Sequence, residues 1–113
     1  MSFYSELRRI EPLQIWEGVV ARTVGGAEAT LAAIELDPGT VVPEHAHQNE
    51  QTGILIRGQL TFTIGGETKA LRPGAAWVIP AHTPHSVEAG PQGASLVELF
   101  APPRADWGGL DRL

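Results

Sequence analysis

The chain has 113 residues, a net charge of −5 and no cysteine, which excludes disulfides and thiolate metal ligands. Its length suits one domain, so we expect a single domain over residues 1–113. Without a Lys/Arg cluster or a long apolar run near the N-terminus, we expect no nucleic-acid partner, no membrane partner and a cytoplasmic location.

Glycine and proline divide the chain into short segments in which apolar residues alternate with polar ones, as is typical of β-strands. In chain order, the predicted strands are 16–24, 29–36, 54–57, 60–64, 69–71, 76–79, 86–88 and 95–100. Turn sequences such as Gly25-Gly26, DPGT and Gly65-Gly66 lie between them. Short strands with turns about every 8–12 residues predict an all-β sandwich or small barrel. The irregular tail is expected to pack through Trp107.

Three of the four histidines are candidate metal ligands. His45 and His47, in the segment PEHAHQNEQTG, are two residues apart, and on a strand such residues point to the same face. His85, in the segment PAHTPHSVE, follows a predicted strand and a proline turn and is the candidate third ligand. Imidazole suits Zn, Fe, Ni, Cu or Mn. The alternative interpretation is that all three are polar loop residues.

The spacing around these histidines resembles the two motifs of the cupin family. Residues 39–58 read Gly, five residues, His-x-His, three residues, Gln51, six residues, Gly. Residues 74–89 read Gly, five residues, Pro-x-His, two residues, His85, three residues, Ala89. The resemblance implies a small single-domain cupin, an all-β, jelly-roll-like β-barrel of two antiparallel sheets. It also implies one divalent transition metal ion, which is Ni, Zn, Fe, Mn or Cu.

The chain departs from these motifs at several positions. Gln51 occupies the place of the acidic ligand, and Glu50 lies one residue away. On a regular strand Glu50 would face the other side, but a bulge could re-aim either side chain. The predicted metal ligands are therefore His45, His47, His85 and Gln51, with Glu50 as the alternative to Gln51. His82 and Ala89 replace the glycine and asparagine of the second motif, and His82 is predicted to be a loop residue outside the metal site.

The chemistry of this ligand set favours a particular kind of substrate. Three neutral imidazoles and a neutral amide leave the charge of a divalent ion uncompensated. Such a site favours an anionic or hydroxyl-bearing substrate and acts as a Lewis acid.

The segment VELFAPPRADW, with HQNEQTG and FTIGGET, resembles the KdgF-type pectin-degradation proteins, small cupins that linearise unsaturated monouronates. The residues that surround the substrate in that family match Glu98, Phe100 and Arg104, with Glu98 standing where the family usually has aspartate. The resemblance implies an isomerase that converts 4,5-unsaturated monouronates from pectin or alginate breakdown into linear keto forms. Arg104 would hold the substrate carboxylate, Glu98 would move a proton, and Phe100 would form an apolar wall.

Other interpretations of the same residues stay open. The chain is alternatively a metal-dependent cupin dioxygenase or a non-catalytic sugar- or metabolite-binding cupin. Glu98, Phe100 and Arg104 would then be a solvated strand end, a core residue and a surface ion pair. The expected partners are a small anionic sugar acid and a second copy of the chain. The homodimer is expected from small size, from the apolar residues Ile15, Val19, Ile54 and Ile56, and from the family's common pairing through an N-terminal strand.

Overall fold

The computed structural model describes residues 2–109, whose regular structure is almost entirely antiparallel β-strand. The strands are β1 (Leu13–Trp16), β2 (Val19–Gly25), β3 (Thr30–Leu36), β4 (Val41–His45), β5 (Glu50–Ile64), β6 (Glu67–Leu71), β7 (Ala76–Ile79) and β8 (His85–Ala101). Short 3₁₀ helices cover Leu7–Arg9 and Ala105–Gly109. The all-β prediction is confirmed. Within residues 2–109, no helix has the length and apolar character needed to cross a membrane.

Two long strands connect the two layers of the barrel. The strand order is β1-β2-β3-β8-β5-β6, with β4 also paired to β8 and β7 to β5. β5 and β8 have 15 and 17 residues and pair along almost their whole length. The C-terminal half of β8 pairs with β3, whereas its N-terminal half pairs with β4. The layer that contains β3 and the layer that contains β4 therefore share these two strands.

Several predicted strand boundaries are wrong. The predicted strands 54–57 and 60–64 are one continuous strand, and so are 86–88 and 95–100. Gly58 does not end a strand, because its positive φ of 84° lies at a bulge where β5 bends against β8. The predicted strand 16–24 corresponds mainly to β2, and only Trp16 of it lies in β1. β4 is not among the predicted strands in chain order, although His45 and His47 were expected to share a strand.

Alternate residues of the strands fill the interior, as the period of two requires. In β3, the side chains of Thr30, Ala32, Ile34 and Leu36 are buried, and the residues between them are more exposed. The most deeply buried large side chains are Phe100, Leu55, Leu60 and Ile79. Trp107 from the tail is also buried and its ring packs on that of Phe100. The tail thus closes one end of the core.

The four apolar residues from which the homodimer is partly expected divide into two groups. Ile54 and Ile56 are exposed, Ile56 by 55%. Val19 is only 3% exposed and belongs to the core, and Ile15 is half-buried against it. Val19 is therefore not one of the residues that the barrel leaves exposed, because the inner face of β2 points into the barrel.

Candidate metal centre

The three predicted histidines lie together at one end of the barrel. His45 ends β4 and is paired in register with His85, the first residue of β8. The ring centroids of His45 and His85 are 4.2 Å apart, and that of His47 is 5.0 Å from His85. One ring nitrogen from each histidine lies within 4.8 Å of the other two. The expectation that His45 and His47 share a strand is wrong, because β4 ends at His45. His47 lies in the loop after β4, which turns back toward the other two rings.

Backbone carbonyls determine which nitrogen of each ring faces the cluster. The Nδ1 atoms of His45, His47 and His85 lie 2.8, 3.0 and 2.8 Å from carbonyl oxygens two residues away along the chain. A carbonyl only accepts hydrogen bonds, so Nδ1 carries the proton and Nε2 keeps a lone pair. The Nε2 atom of His85 is buried and has no hydrogen-bond partner within residues 2–109. Unprotonated nitrogens in this arrangement fit a bound cation.

Gln51 adds an oxygen to the same place. The Gln51 side chain is buried, and its Oε1 lies 3.0 Å from Nε2 of His47. Its amide nitrogen donates to Oε2 of Glu98, which explains why the oxygen faces the histidines. Because Nδ1 of His47 carries the proton, Nε2 of His47 and Oε1 of Gln51 face each other with lone pairs only, which repel. A cation between the two atoms would stabilise the contact. Glu50, the alternative ligand, is exposed.

Burial keeps two of the imidazoles neutral. Desolvation is the main cause that lowers the pKa of His85 to about 4. The pKa of His47 is also lowered, first by burial and next by the positive charge of Arg104. Because a metal ion binds the neutral form of imidazole, protons compete weakly for these two residues near neutral pH.

Glu98 lies directly behind Gln51. Its Oε2 atom accepts hydrogen bonds from Gln51 and, at 2.9 Å, from Nε1 of Trp77. Burial raises the pKa of Glu98 to about 7, although both hydrogen bonds and the charge of Arg104 oppose the shift. Gly53 pairs with both Glu98 and Trp77, and a Cβ there would lie 2.5 Å from the indole. Glycine at this position therefore lets the indole lie across β5 and reach Glu98.

The tail places Arg104 at the same end of the barrel. The guanidinium carbon of Arg104 is 4.9 Å from the ring centroid of Phe100 and 4.3 Å from that of Trp107. Arg104 also donates two hydrogen bonds to Asp106, at 3.0 and 2.7 Å. The tail is held to the histidine loop by Asn49, whose buried amide donates to the carbonyls of Pro102 and Pro103.

A cavity of about 250 Å³ brings most of the predicted site residues together. Its lining includes His45, His85, Gln51, Glu98, Phe100 and Arg104, and the remaining lining residues are apolar except for Asp106. His47 contacts this group through the rings of His85 and Phe100. His82 lies outside the cluster: its side chain is exposed, and its backbone N–H donates to the carbonyl of His47 at 2.8 Å.

Sequence reasoning missed four residues of this site. Trp16 lines the cavity 5.6 Å from the ring of His45, Trp77 holds Glu98, Asn49 holds the tail, and Asp106 pairs with Arg104. The sequence does contain a signal for Asp106, because this acid lies two residues after Arg104 and directly before the anchoring Trp107. Trp77 had a weaker signal in Gly53, a glycine within a strand.

Residues 32–100 match the family model described as Cupin domain. The chain belongs to the cupin family. Among solved structures, this cupin is similar to an RmlC-like cupin from Shewanella frigidimarina, with 25% identity, a TM-score of 0.86, and coverage of 94% of this chain and 96% of that one. It is also similar to KdgF from Halomonas sp., with 25% identity, a TM-score of 0.84, and coverage of 94% and 98%.

Other solved cupins share the fold alone. The polyketide cyclase RemF from Streptomyces resistomycificus is 21% identical, with a TM-score of 0.77 over 90% of this chain and 80% of that one. No match is found among curated proteins. The expected membership of the cupin family is therefore confirmed, and enzymes are among its structural relatives.

Proposed function

We propose that this cupin is a metal-dependent enzyme that converts 4,5-unsaturated monouronates into linear keto forms. The observation that carries the proposal is the arrangement of Glu98 and Arg104 around one cavity with the three-histidine cluster and Gln51. The similarity to KdgF from Halomonas sp., which extends over nearly the full length of both chains, supports the same activity. So does the resemblance of the tail segment VELFAPPRADW to the KdgF-type proteins.

The cluster would hold one divalent transition metal ion. His45, His47 and His85 would bind it through nitrogen and Gln51 through its amide oxygen. The partnerless Nε2 of His85 and the lone-pair contact between His47 and Gln51 support this ligand set. When bound, the ion supplies Lewis-acid polarisation of a substrate oxygen. Because the four ligands are neutral, the site keeps a positive charge and favours an anionic, hydroxyl-bearing substrate.

The proposed reaction is an isomerisation in which atoms and electrons balance. The C1–O5 bond of the ring hemiacetal breaks, the O1 hydroxyl loses its proton as C1 becomes an aldehyde, and O5 becomes the hydroxyl of an enol. A proton is then added at C4 and the enol proton leaves, which gives a ketone at C5. The reaction therefore needs one group that both gives and takes a proton, and one that holds the substrate still.

The chain's own side chains fit these two roles. Glu98, with a pKa of about 7, can give and take a proton near neutral pH. Arg104 would bind the substrate carboxylate, and the rings of Phe100 and Trp107 hold its guanidinium in place. Phe100 would also form the apolar wall beside His47, since their ring centroids are 6.1 Å apart.

The test is the loss of ultraviolet absorbance by the conjugated double bond, measured with metal-loaded protein and corrected for the spontaneous reaction. Arg104→Ala should keep the metal and lower turnover efficiency about 30- to 1,000-fold, which corresponds to on the order of 2–4 kcal/mol. Arg104→Lys should restore part of it, because an ammonium cannot form the bidentate contact. Glu98→Gln should lower kcat with little effect on affinity, since glutamine can still accept from Gln51.

Glu88→Gln is the matched control, because Glu88 is an exposed acid on the same strand. It should leave the rate unchanged. If the wild-type protein does not exceed the spontaneous rate on unsaturated galacturonate or on the alginate-derived monouronate, the proposed activity is wrong. Oxygen consumption by the metal-loaded protein would then indicate a dioxygenase instead.

A further inference from the structure

The guanidinium of Arg104 already holds a carboxylate, and it belongs to the chain itself. Nε of Arg104 donates to Oδ1 of Asp106 at 3.0 Å, and Nη2 donates to Oδ2 at 2.7 Å. This is the bidentate geometry with which an arginine binds a carboxylate ligand. Asp106 also lines the cavity that the histidines and Glu98 line. The position of a ligand carboxylate is thus occupied by a side chain from the tail.

Asp106 is not what holds Arg104 in place. The guanidinium lies against the rings of Phe100 and Trp107, and the backbone N–H of Arg104 donates to Oγ1 of Thr30 at 3.0 Å. These contacts come from buried residues of the barrel and tail. The Arg104 side chain would therefore keep its position without Asp106.

The carboxylate of Asp106, in contrast, can move away from the guanidinium of Arg104. Its side chain is 62% exposed, against 12% for Arg104. A short side chain at such a position can turn its carboxylate into water by rotation about its own Cα–Cβ bond. The cost of leaving is small, because an ion pair with one well-exposed member contributes little free energy.

We infer that Asp106 is a displaceable internal carboxylate that determines how well the site binds anionic ligands. A ligand carboxylate must either displace Asp106 from Nε and Nη2 or bind the remaining edge of the guanidinium beside a like charge. Both routes reduce the affinity for anions, and neither affects a neutral ligand. The pKa of Asp106 is lowered, chiefly by its hydrogen bonds from Arg104, so the competing carboxylate is charged near neutral pH.

This inference rests on the proposed role of Arg104 as the carboxylate-binding residue, but it does not depend on turnover.

The test compares two probes that differ only at C6, where galacturonate carries a charged carboxylate and galactose a neutral hydroxymethyl group. Binding of galacturonate and of galactose to metal-loaded protein is measured by isothermal titration calorimetry. Asp106→Asn keeps the size of the side chain and removes its charge. It should tighten galacturonate binding about fivefold, which equals about 1 kcal/mol, and leave galactose binding unchanged. In the background of Arg104→Ala, the same substitution should produce no gain.

Glu88→Gln again serves as the control for loss of one negative charge at a distance from the cavity, and it should change neither affinity. Weaker galacturonate binding by Asp106→Asn would overturn the inference, since Asp106 would then be holding Arg104 in place. An equal change for both sugars, or no detectable galacturonate binding to either protein, would also overturn it. Because a saturated sugar acid lacks the double bond that the reaction consumes, this result is independent of whether the protein linearises unsaturated uronates.

Discussion

At the scale of single residues, the candidate metal centre depends on short-range hydrogen bonds. Each clustered histidine donates its Nδ1 proton to a carbonyl two residues away, at Pro43, Asn49 or Thr83. This arrangement fixes the tautomer before any ion binds, because the outer nitrogen is committed to the backbone. Glu98 orients the side chain of Gln51 by accepting a hydrogen bond from its amide nitrogen. Each proposed ligand is therefore oriented by a partner that the ion does not contact.

Removal of one proposed ligand should release the metal. His85→Ala deletes the buried, partnerless Nε2, so protein purified without chelator should lose most of the metal found in the wild type by elemental analysis. Gln51→Ala should cause a smaller loss, because an amide oxygen is a weaker ligand than imidazole.

Two matched variants control this measurement. His82→Gly should keep the metal, because the exposed His82 side chain lies outside the cluster and glycine suits its φ of 63°. Glu50→Ala should also keep it. A larger loss from Glu50→Ala than from Gln51→Ala would show that the ligand assignment is wrong.

At the scale of elements, the bend in β5 carries the strand from one layer to the other. The register between β5 and β8 shifts between Gly58 and Leu60. A Cβ at Gly58 would lie 2.0 Å from the carbonyl oxygen of Gly93 in β8, so the two backbones touch at the bend. The N-terminal half of β5 brings Gln51 next to Phe100 of β8 and Ile79 of β7. The backbone contact between Gly58 and Gly93 and the proposed ligand Gln51 thus belong to the same pair of strands.

Gly58→Ala should be strongly destabilising. The new methyl group meets backbone that cannot move aside easily, and φ at this position is 84°, where a Cβ is strained. We expect the free energy of unfolding in urea to fall by about 3 kcal/mol or more. Gly66→Ala is the control, since its φ is 85° and no atom of the described part of the chain lies within 4 Å of the position that a Cβ would take. It should lose only about 1 kcal/mol. Equal losses for the two variants would show that the contact with Gly93 contributes nothing.

At the scale of the whole molecule, the outer surface carries an apolar sheet face. Val24, Leu31, Leu99, Thr52 and Val78 are aligned across β2, β3, β8, β5 and β7, and all but Thr52 are exposed apolar residues. Ile54 and Ile56 extend the face along β5. Contiguous exposed apolar surface of this kind marks an interaction site.

We expect two copies of the chain to pair through this face, because pairing would bury its exposed apolar residues. A stable interface buries roughly 800 Å² of each partner's surface. Light scattering at micromolar concentration should give the mass of a dimer. Leu99→Glu should give a monomer, because it places a charge in the middle of the face. Val41→Glu should remain dimeric, because Val41 is also exposed, by 59% against 43% for Leu99, but lies on β4 in the other layer. A monomeric wild type, or an unaffected Leu99→Glu variant, would contradict the expectation.

The sequence by itself determined the fold class, the cupin family and the candidate histidines. These depend on signals carried within short segments, namely alternation of apolar residues, turn sequences and the spacing of His45, His47 and His85. Alternation is set by the strand's own geometry, so it can be recognised without knowing which strands are neighbours.

Only the tertiary structure decided the features that depend on residues distant in sequence. Gly58 is compatible with a turn or with a bulge, and the approach of Gly93 makes it a bulge. Gln51 rather than Glu50 faces the histidines because Glu98 and the register with β8 turn it inward. The position of Arg104 at the cavity in turn needs the tail to be packed against the barrel, where its backbone contacts Thr30 and its guanidinium lies near Phe100. A side chain's direction in a bulged strand or an irregular tail is set by its spatial neighbours, and these exist only once the chain has folded.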